Sequence, residues 1–92
     1  MSQNFKVSII MNCLNGEEHL SQAITSVLNQ SYKNWELIFW DNTSDDNSAK
    51  IFKNSKDIRL KYFLSEKKTN LHTARNLALS KSSGELITFI DT

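Results

Sequence analysis

Two periods of apolar residues take turns along the chain, and each change of period marks an element. Residues 6–12, Lys-Val-Ser-Ile-Ile-Met-Asn, form a short apolar run rich in β-branched residues and read as a buried strand. Asn15-Gly16 breaks the run. From Glu17 the spacing becomes helical: Leu20, Ile24, Val27 and Leu28 make one apolar stripe that fades near Gln30-Ser31. Glu17 and Glu18 fall in its first turn, where the helix dipole favours negative charge. Residues 35–41, Trp-Glu-Leu-Ile-Phe-Trp-Asp, are apolar on both faces apart from Glu36, as in a parallel strand covered on both sides.

The second half repeats the alternation. Asn42-Thr43-Ser44-Asp45 is a cluster of turn and cap residues, and a short helix over 46–54 is predicted to turn Ala49 and Phe52 inward. Residues 58–64 alternate and then become apolar, as in a strand nearer a sheet edge. A third helix over about 70–83 carries Leu71, Ala74 and Ala78 on one stripe, and Gly84 stands where a helix C-terminal glycine belongs. Residues 85–91, Glu-Leu-Ile-Thr-Phe-Ile-Asp, form the fourth strand. The order β-α-β-α-β-α-β predicts an α/β fold with a parallel sheet and right-handed crossovers.

Length and composition narrow the class. With 92 residues, 39% hydrophobic and 23% charged, the chain is one ordinary globular unit with a thin core. One Cys excludes an internal disulfide framework, and no apolar run approaches the ~18 residues of a membrane span. The N-terminus lacks the charged-then-apolar pattern of a secretory signal, so a cytoplasmic location is expected. The net charge of +1 hides an excess of base in residues 50–68, where Lys50, Lys53, Lys56, Arg59, Lys61, Lys67 and Lys68 face only Asp57 and Glu66. This stretch reads as a solvated face. Without interleaved aromatic residues or a domain-wide basic excess, no nucleic-acid partner is expected.

Open parallel sheets bind ligands beyond the carboxyl ends of their strands. Here those ends are Asn12 to Asn15, Asp41-Asn42 and Asp91-Thr92. Asp41 and Asp91 each finish an apolar strand at the same sheet edge, where carboxylates can hold a ribose hydroxyl, a base edge or a divalent metal. A classical dinucleotide or P-loop site is excluded, because the first turn, Asn12-Cys13-Leu14-Asn15-Gly16-Glu17-Glu18, has one glycine and two glutamates instead of a glycine-rich cradle. Cys13 reads as a packed thiol, His19 and His72 as surface residues, and Trp35 and Trp40 as core. Arg75, near the start of the third helix, could reach a phosphate.

Five segments in order resemble family 2 glycosyltransferases of the GT-A fold. Val7 to Asn15 is similar to the opening "V-S-I-I-P-x-Y-N". Ala23 to Tyr32 is similar to the "S-V-L-x-Q" helix, and Trp35 to Ser44 to the "E-L-I-x-x-D-D-G-S" strand and turn. Ala74-Arg75-Asn76 matches "A-R-N", and Gly84 to Asp91 matches the strand leading into the D-x-D motif. The resemblance implies a Rossmann-like three-layer α/β/α arrangement with strand order 3-2-1-4, half of a GT-A fold. It implies an inverting transferase that moves a sugar from a nucleotide diphosphate sugar, UDP-linked by preference, to a saccharide or lipid-linked acceptor. Glycan or polysaccharide synthesis at the inner face of a membrane would be its setting. Carried over residue by residue, Asn12, Leu14, Asp41, Asn42 and Arg75 become nucleotide contacts, and Asp91 a ligand of ribose or of a Mg²⁺ or Mn²⁺ ion that stabilises the leaving diphosphate. Asn42 stands where the family has a second Asp, and Leu14 where it has Tyr. The second carboxylate of D-x-D, the acceptor site and the catalytic base would all follow Thr92, so no catalytic residue is assigned and the 92 residues alone are expected to be inactive. The rival reading is a non-catalytic nucleotide-binding or protein-interaction α/β module.

A parallel order of 3-2-1-4 leaves the fourth strand at an edge, with Leu86, Ile87, Phe89 and Ile90 distributed over both faces. Such an edge pairs readily with another copy of itself. The 92-residue chain is therefore expected to self-associate at micromolar concentration. Sedimentation equilibrium showing a 10.6 kDa monomer with cooperative melting would contradict that expectation.

Overall fold

The computed structural model describes residues 5–90. Seven elements follow the predicted order: β1 (Val7–Cys13), α1 (Glu17–Leu28), β2 (Trp35–Asp41), α2 (Ser48–Asn54), β3 (Leu60–Leu64), α3 (Leu71–Leu79) and β4 (Leu86–Ile90). The strands form one parallel sheet of order β3-β2-β1-β4. Val7 lies beside both Trp35 and Leu86, so the first strand made is flanked by the second and the last.

The alternation along each central strand sends side chains to two different cores. On one face Ile9, Met11, Cys13, Leu37 and Phe39 pack under Leu20, Ile24 and Val27 of α1 and Phe52 of α2. Phe39 stacks on Phe52 with ring centroids 4.2 Å apart, and Tyr62 extends the stack. On the other face Ile10, Ile38 and Trp40 meet Ala74 and Ala78 of α3. The two alanines let α3 approach closely, and they are the buried members of the stripe read from the sequence.

Four expectations give way to local chemistry. Leu71 is 54% exposed instead of inward; it opens α3 at the carboxyl edge of the sheet, just past the Asn70 cap, whose side chain accepts the Thr73 amide at 2.8 Å. Ile58 is 96% exposed, because residues 57–60 form a turn in which the Leu60 amide reaches the Asp57 carbonyl and the Asp57 carboxylate grips Arg59. The ladder with β2 begins only at Leu60. Ala49 is half-buried, and Ser48 and Phe52 supply the buried positions of α2. Gly84 is no helix cap: α3 ends at Leu79, and Gly84 has no positive φ. Its role is close approach. A Cβ there would sit 2.6 Å from Ser8 Oγ and 2.7 Å from the Lys6 carbonyl.

At the amino ends of the strands lies Glu36, 1% exposed in the middle of the sheet. Lys61 of β3 donates to its Oε1 at 2.7 Å, and Lys6 stands 3.6 Å from the same oxygen. Its Oε2 accepts the Ser8 hydroxyl of β1 at 2.6 Å and the Ser83 amide at 2.6 Å. Ser8 Oγ in turn accepts the Gly84 amide at 2.7 Å. Burial alone would raise the carboxyl pKa, but the hydrogen bonds from Lys61, Ser8 and Ser83 outweigh it and hold the group at about 2.

A depressed folded-state pKa contributes stability that is present above the unfolded value near 4.5 and lost as pH falls through about 2. That window should remove about 3 kcal/mol of unfolding free energy. Urea unfolding between pH 6 and pH 2.5 measures the loss. Glu36→Gln should be less stable at pH 6 and should show a shallower acid slope; an unchanged slope would show that Glu36 does not carry the effect.

Candidate functional site

The carboxyl ends of β1 and β2 meet in two loops stitched together by side chains. Asn15 takes a left-handed conformation with φ 56°, which Asn tolerates, and its amide donates to Ser44 Oγ at 2.9 Å. Its side-chain oxygen accepts the Asp45 amide at 2.7 Å. The Gly16 amide reaches Ser48 Oγ at 3.1 Å. Asp46 serves two helix entrances at once, accepting the Glu17 amide at 3.1 Å at the start of α1 and the Ser48 amide at 3.0 Å at the start of α2. Some burial pushes the Asp46 carboxyl pKa up, but hydrogen bonds from Ser48 and Glu17 bring it below its ordinary value.

Asp41 anchors the turn after β2. Its Oδ1 accepts the Ser44 amide at 2.8 Å and its Oδ2 accepts the Tyr62 hydroxyl of β3 at 2.6 Å, with the residue 1% exposed. Burial, then the hydrogen bond and charge of Asp41, hold the Tyr62 phenol well above its usual pKa. Asp41 thus lies at the predicted edge, but both carboxylate oxygens are engaged by the fold. Thr43, in the same turn, has φ 61°. That is costly for a β-branched residue, and the motif quoted above has glycine at this position.

Asn42 faces the other way, toward the loop that leads into α3. Its Nδ2 donates to the Thr69 carbonyl at 2.7 Å and its Oδ1 accepts the Thr69 amide at 2.9 Å. This two-point clasp fixes residues 65–70 against the end of β2. Between them opens a cavity of about 310 Å³ whose wall includes Asn12, Leu14, Asn42, Asn70 and Leu71. Three predicted residues from two separate strand ends, Asn12, Leu14 and Asn42, therefore share one cavity. Leu14 and Leu71 present apolar surface there, 44% and 54% exposed, while the asparagines supply amide donors and acceptors.

Arg75 is not in that wall. It is exposed on α3, with its guanidinium 5.5 Å from the Phe89 ring of β4. Asp91 lies outside the described residues. Cys13 is buried with Ser44 Oγ 3.9 Å from its sulfur, as a packed thiol should be, and His19 and His72 are on the surface. Tyr62, Thr69, Asn70 and Leu71 were not singled out by sequence reasoning as site residues. Asn70 was legible as a helix cap, whereas the Tyr62–Asp41 and Asn42–Thr69 bonds join segments more than twenty residues apart and leave no local pattern. Among the described residues no three His, Cys, Asp or Glu side chains converge to hold a metal ion.

Comparison with known proteins matches residues 8–92 to the family described as glycosyl transferase family 2. A relative from Escherichia coli, the UDP-Glc:alpha-D-GlcNAc-diphosphoundecaprenol beta-1,3-glucosyltransferase WfgD, is 40% identical over 89 residues, which are 97% of this chain and 35% of that protein. The crystal structure of S. aureus TarS 1–349 in complex with UDP-GlcNAc superposes with a TM-score of 0.88 at 26% identity, covering 94% of this chain and 26% of that one. The mannosyltransferase PcManGT from Pyrobaculum calidifontis, in complex with GDP-Man and Mn²⁺, shares the fold with a TM-score of 0.89 at 19% identity, covering 98% of this chain and 28% of its own. The chain spans about a third or less of the length of the curated relatives it matches.

Because Asp41 closes the turn beneath this cavity, Asp41→Ala should leave the Ser44 amide and the Tyr62 hydroxyl unpaired. A loss of about 1–3 kcal/mol in unfolding free energy is expected. Thermal or urea unfolding checks it, and a stability equal to wild type would show that the turn holds without the carboxylate.

Proposed function

The chain belongs to glycosyl transferase family 2, and on that premise we propose that it forms the nucleotide-holding part of an inverting transferase that uses a nucleotide diphosphate sugar. The observation that carries the reading is the cavity shared by Asn12, Leu14 and Asn42 at the carboxyl ends of β1 and β2. Its chemistry suits a nucleobase: two exposed leucine side chains can sandwich a planar ring, and amide groups can meet the ring's donors and acceptors at its edge. Asn42 takes its place in the wall while clasped to Thr69, and it retains one amide hydrogen for a base. We assign UDP as the preferred nucleotide.

Asp41 acts beneath the site as a positioning residue by closing the turn that carries Asn42. Arg75 is assigned to a donor phosphate, which it can reach by leaving Phe89. Asp91 is assigned to ribose or to a divalent cation, Mg²⁺ or Mn²⁺. The described residues do not by themselves make a metal site, so no step is routed through the ion. When bound, such an ion would neutralise charge developing on the leaving diphosphate. The acceptor, a saccharide or a lipid-linked glycan, and the base that deprotonates its hydroxyl are assigned to the longer protein, which would act in glycan synthesis at the cytoplasmic face of a membrane. No helix among the described residues is long and apolar enough to cross one.

Calorimetric titration with UDP, GDP and dTDP, each with Mn²⁺ present, tests the reading. UDP should bind tightest, and Asn42→Ala should weaken it by about 1–3 kcal/mol, roughly 5- to 150-fold. Absence of binding by all three nucleotides, or an unchanged UDP affinity in Asn42→Ala, would reject the assignment.

A further inference from the structure

Charge is unevenly divided over the molecule. Seven cations against two carboxylates leave residues 50–68 at +5, so the rest of a chain of net charge +1 stands at −4. The sequence alone reads this stretch as a solvated face; the fold gathers it onto one flank. β3 is the outermost strand on that side. α2 lies directly before it, with Ser48 and Phe52 buried and Lys50 and Lys53 exposed about one turn apart. Lys53 reaches β3 itself, its Nζ 4.4 Å from the Tyr62 ring centroid. At the other end of β3, Lys67 and Lys68 are exposed in the loop that returns to the sheet where Asn42 clasps Thr69.

Two of the seven cations are spent. Arg59 is paired with Asp57 at 2.8 Å and Lys61 with Glu36 at 2.7 Å. Among the described residues, Lys50, Lys53, Lys56, Lys67 and Lys68 have no carboxylate partner, and only Glu66 opposes them within the stretch. Apolar side chains punctuate this charge. Ile58, in the turn before β3, is 96% exposed, and Leu64, at the end of β3, is 61% exposed. The Asp57–Arg59 pair and the Leu60 amide on the Asp57 carbonyl fix the turn, so Ile58 is held outward.

We propose that the β3 flank docks on an anionic bilayer surface, with Ile58 and Leu64 at the acyl boundary and the five free lysines at the headgroups. Lysine stems with free ammonium groups suit anionic headgroups, and aliphatic tips suit acyl chains. A second copy is opposed by like charge, and a nucleic acid by the lack of an exposed aromatic ring on this flank. None of these seven side chains lines the cavity of Asn12, Leu14 and Asn42, so docking leaves that cavity free. The proposal rests on the functional reading only for its membrane setting; docking itself needs no nucleotide.

Flotation of the 92-residue chain with vesicles, in the absence of nucleotide, tests the proposal independently of the nucleotide titration. The chain should float with phosphatidylcholine vesicles that carry about 30% phosphatidylglycerol at about 50 mM NaCl. It should stay behind with pure phosphatidylcholine and be released at about 500 mM NaCl. Lys50→Gln and Lys56→Gln should each weaken partition roughly fivefold, and Ile58→Asp by roughly fivefold or more. Leu86→Ser, at an exposed position on the opposite sheet edge, should change it by less than about twofold. Ile58→Trp places an indole at the contact; Trp35 and Trp40 are buried, so quenching by brominated lipid reports on position 58, and strong quenching on anionic vesicles is expected. No flotation with anionic vesicles, equal flotation with neutral ones, or flotation without quenching at position 58 would overturn the proposal. Tighter binding to polyglutamate than to anionic vesicles would assign the flank to an acidic protein and overturn it too. The lipid and salt comparisons use the unaltered chain, so they decide whether or not a variant folds.

Discussion

Glu36 sits where water does not reach it, and its charge is met by groups from β1, from β3 and from the loop that launches β4. A lone buried carboxylate would be strongly unfavourable. The sheet can therefore form around Glu36 only in a register that brings Ser8, Lys61 and Ser83 to it together. A slip of one residue would send the carboxylate to the opposite face, among Leu20, Ile24 and Phe52. The apolar residues of β2 alone, Leu37 to Trp40, do not discriminate so sharply, since both of their faces are buried. The polar residue in the run supplies the discrimination. Lys61 keeps part of its stem in solvent, so only one member of the pair bears a full desolvation cost.

With the amino ends of the strands fixed in this way, the carboxyl ends are free to carry loops of unusual conformation. Thr43 and Asn15 both occupy the left-handed region there, and Asn15 is held by Ser44 and Asp45 of the neighbouring loop. The strain of Thr43 is offset locally, because Asp41 on one side and Ser44 on the other bind the turn into the sheet. The cavity of Asn12, Leu14 and Asn42 is thus bordered by backbone that has little freedom left to lose when a ligand arrives.

The sequence made the order and type of all seven elements readable, because buried parallel strands and amphipathic helices have different periods and the chain keeps them separate. The strand order required the family resemblance, since periodicity says nothing about which strands are neighbours. The ends of elements were less legible. Leu71 looks like a core residue by spacing, yet it opens its helix at the rim of a cavity. Gly84 looks like a cap, yet it is small because Ser8 and Lys6 pass against it. Of the candidate site, Asn12, Leu14 and Asn42 were recognisable from their places at strand ends. The partners that orient the site, Tyr62 and Thr69, lie far away in sequence and could not be inferred from any local pattern.

Among the described strands β1 leaves the ribosome first, and it pairs on both sides. β2 can join it once residue 41 has emerged, but Val7 meets Leu86 only after a further stretch of roughly 50 residues, about 3–10 s of synthesis at ~5–20 residues per second. Throughout that interval the second edge of β1, with Ile9, Ile10 and Met11, is unpaired. Glu36 likewise waits for Ser83. The nascent chain therefore carries a half-satisfied sheet for seconds, a period in which chaperone binding competes with pairing to a neighbouring nascent chain. The central placement of β1 thus ties completion of this sheet to the emergence of β4.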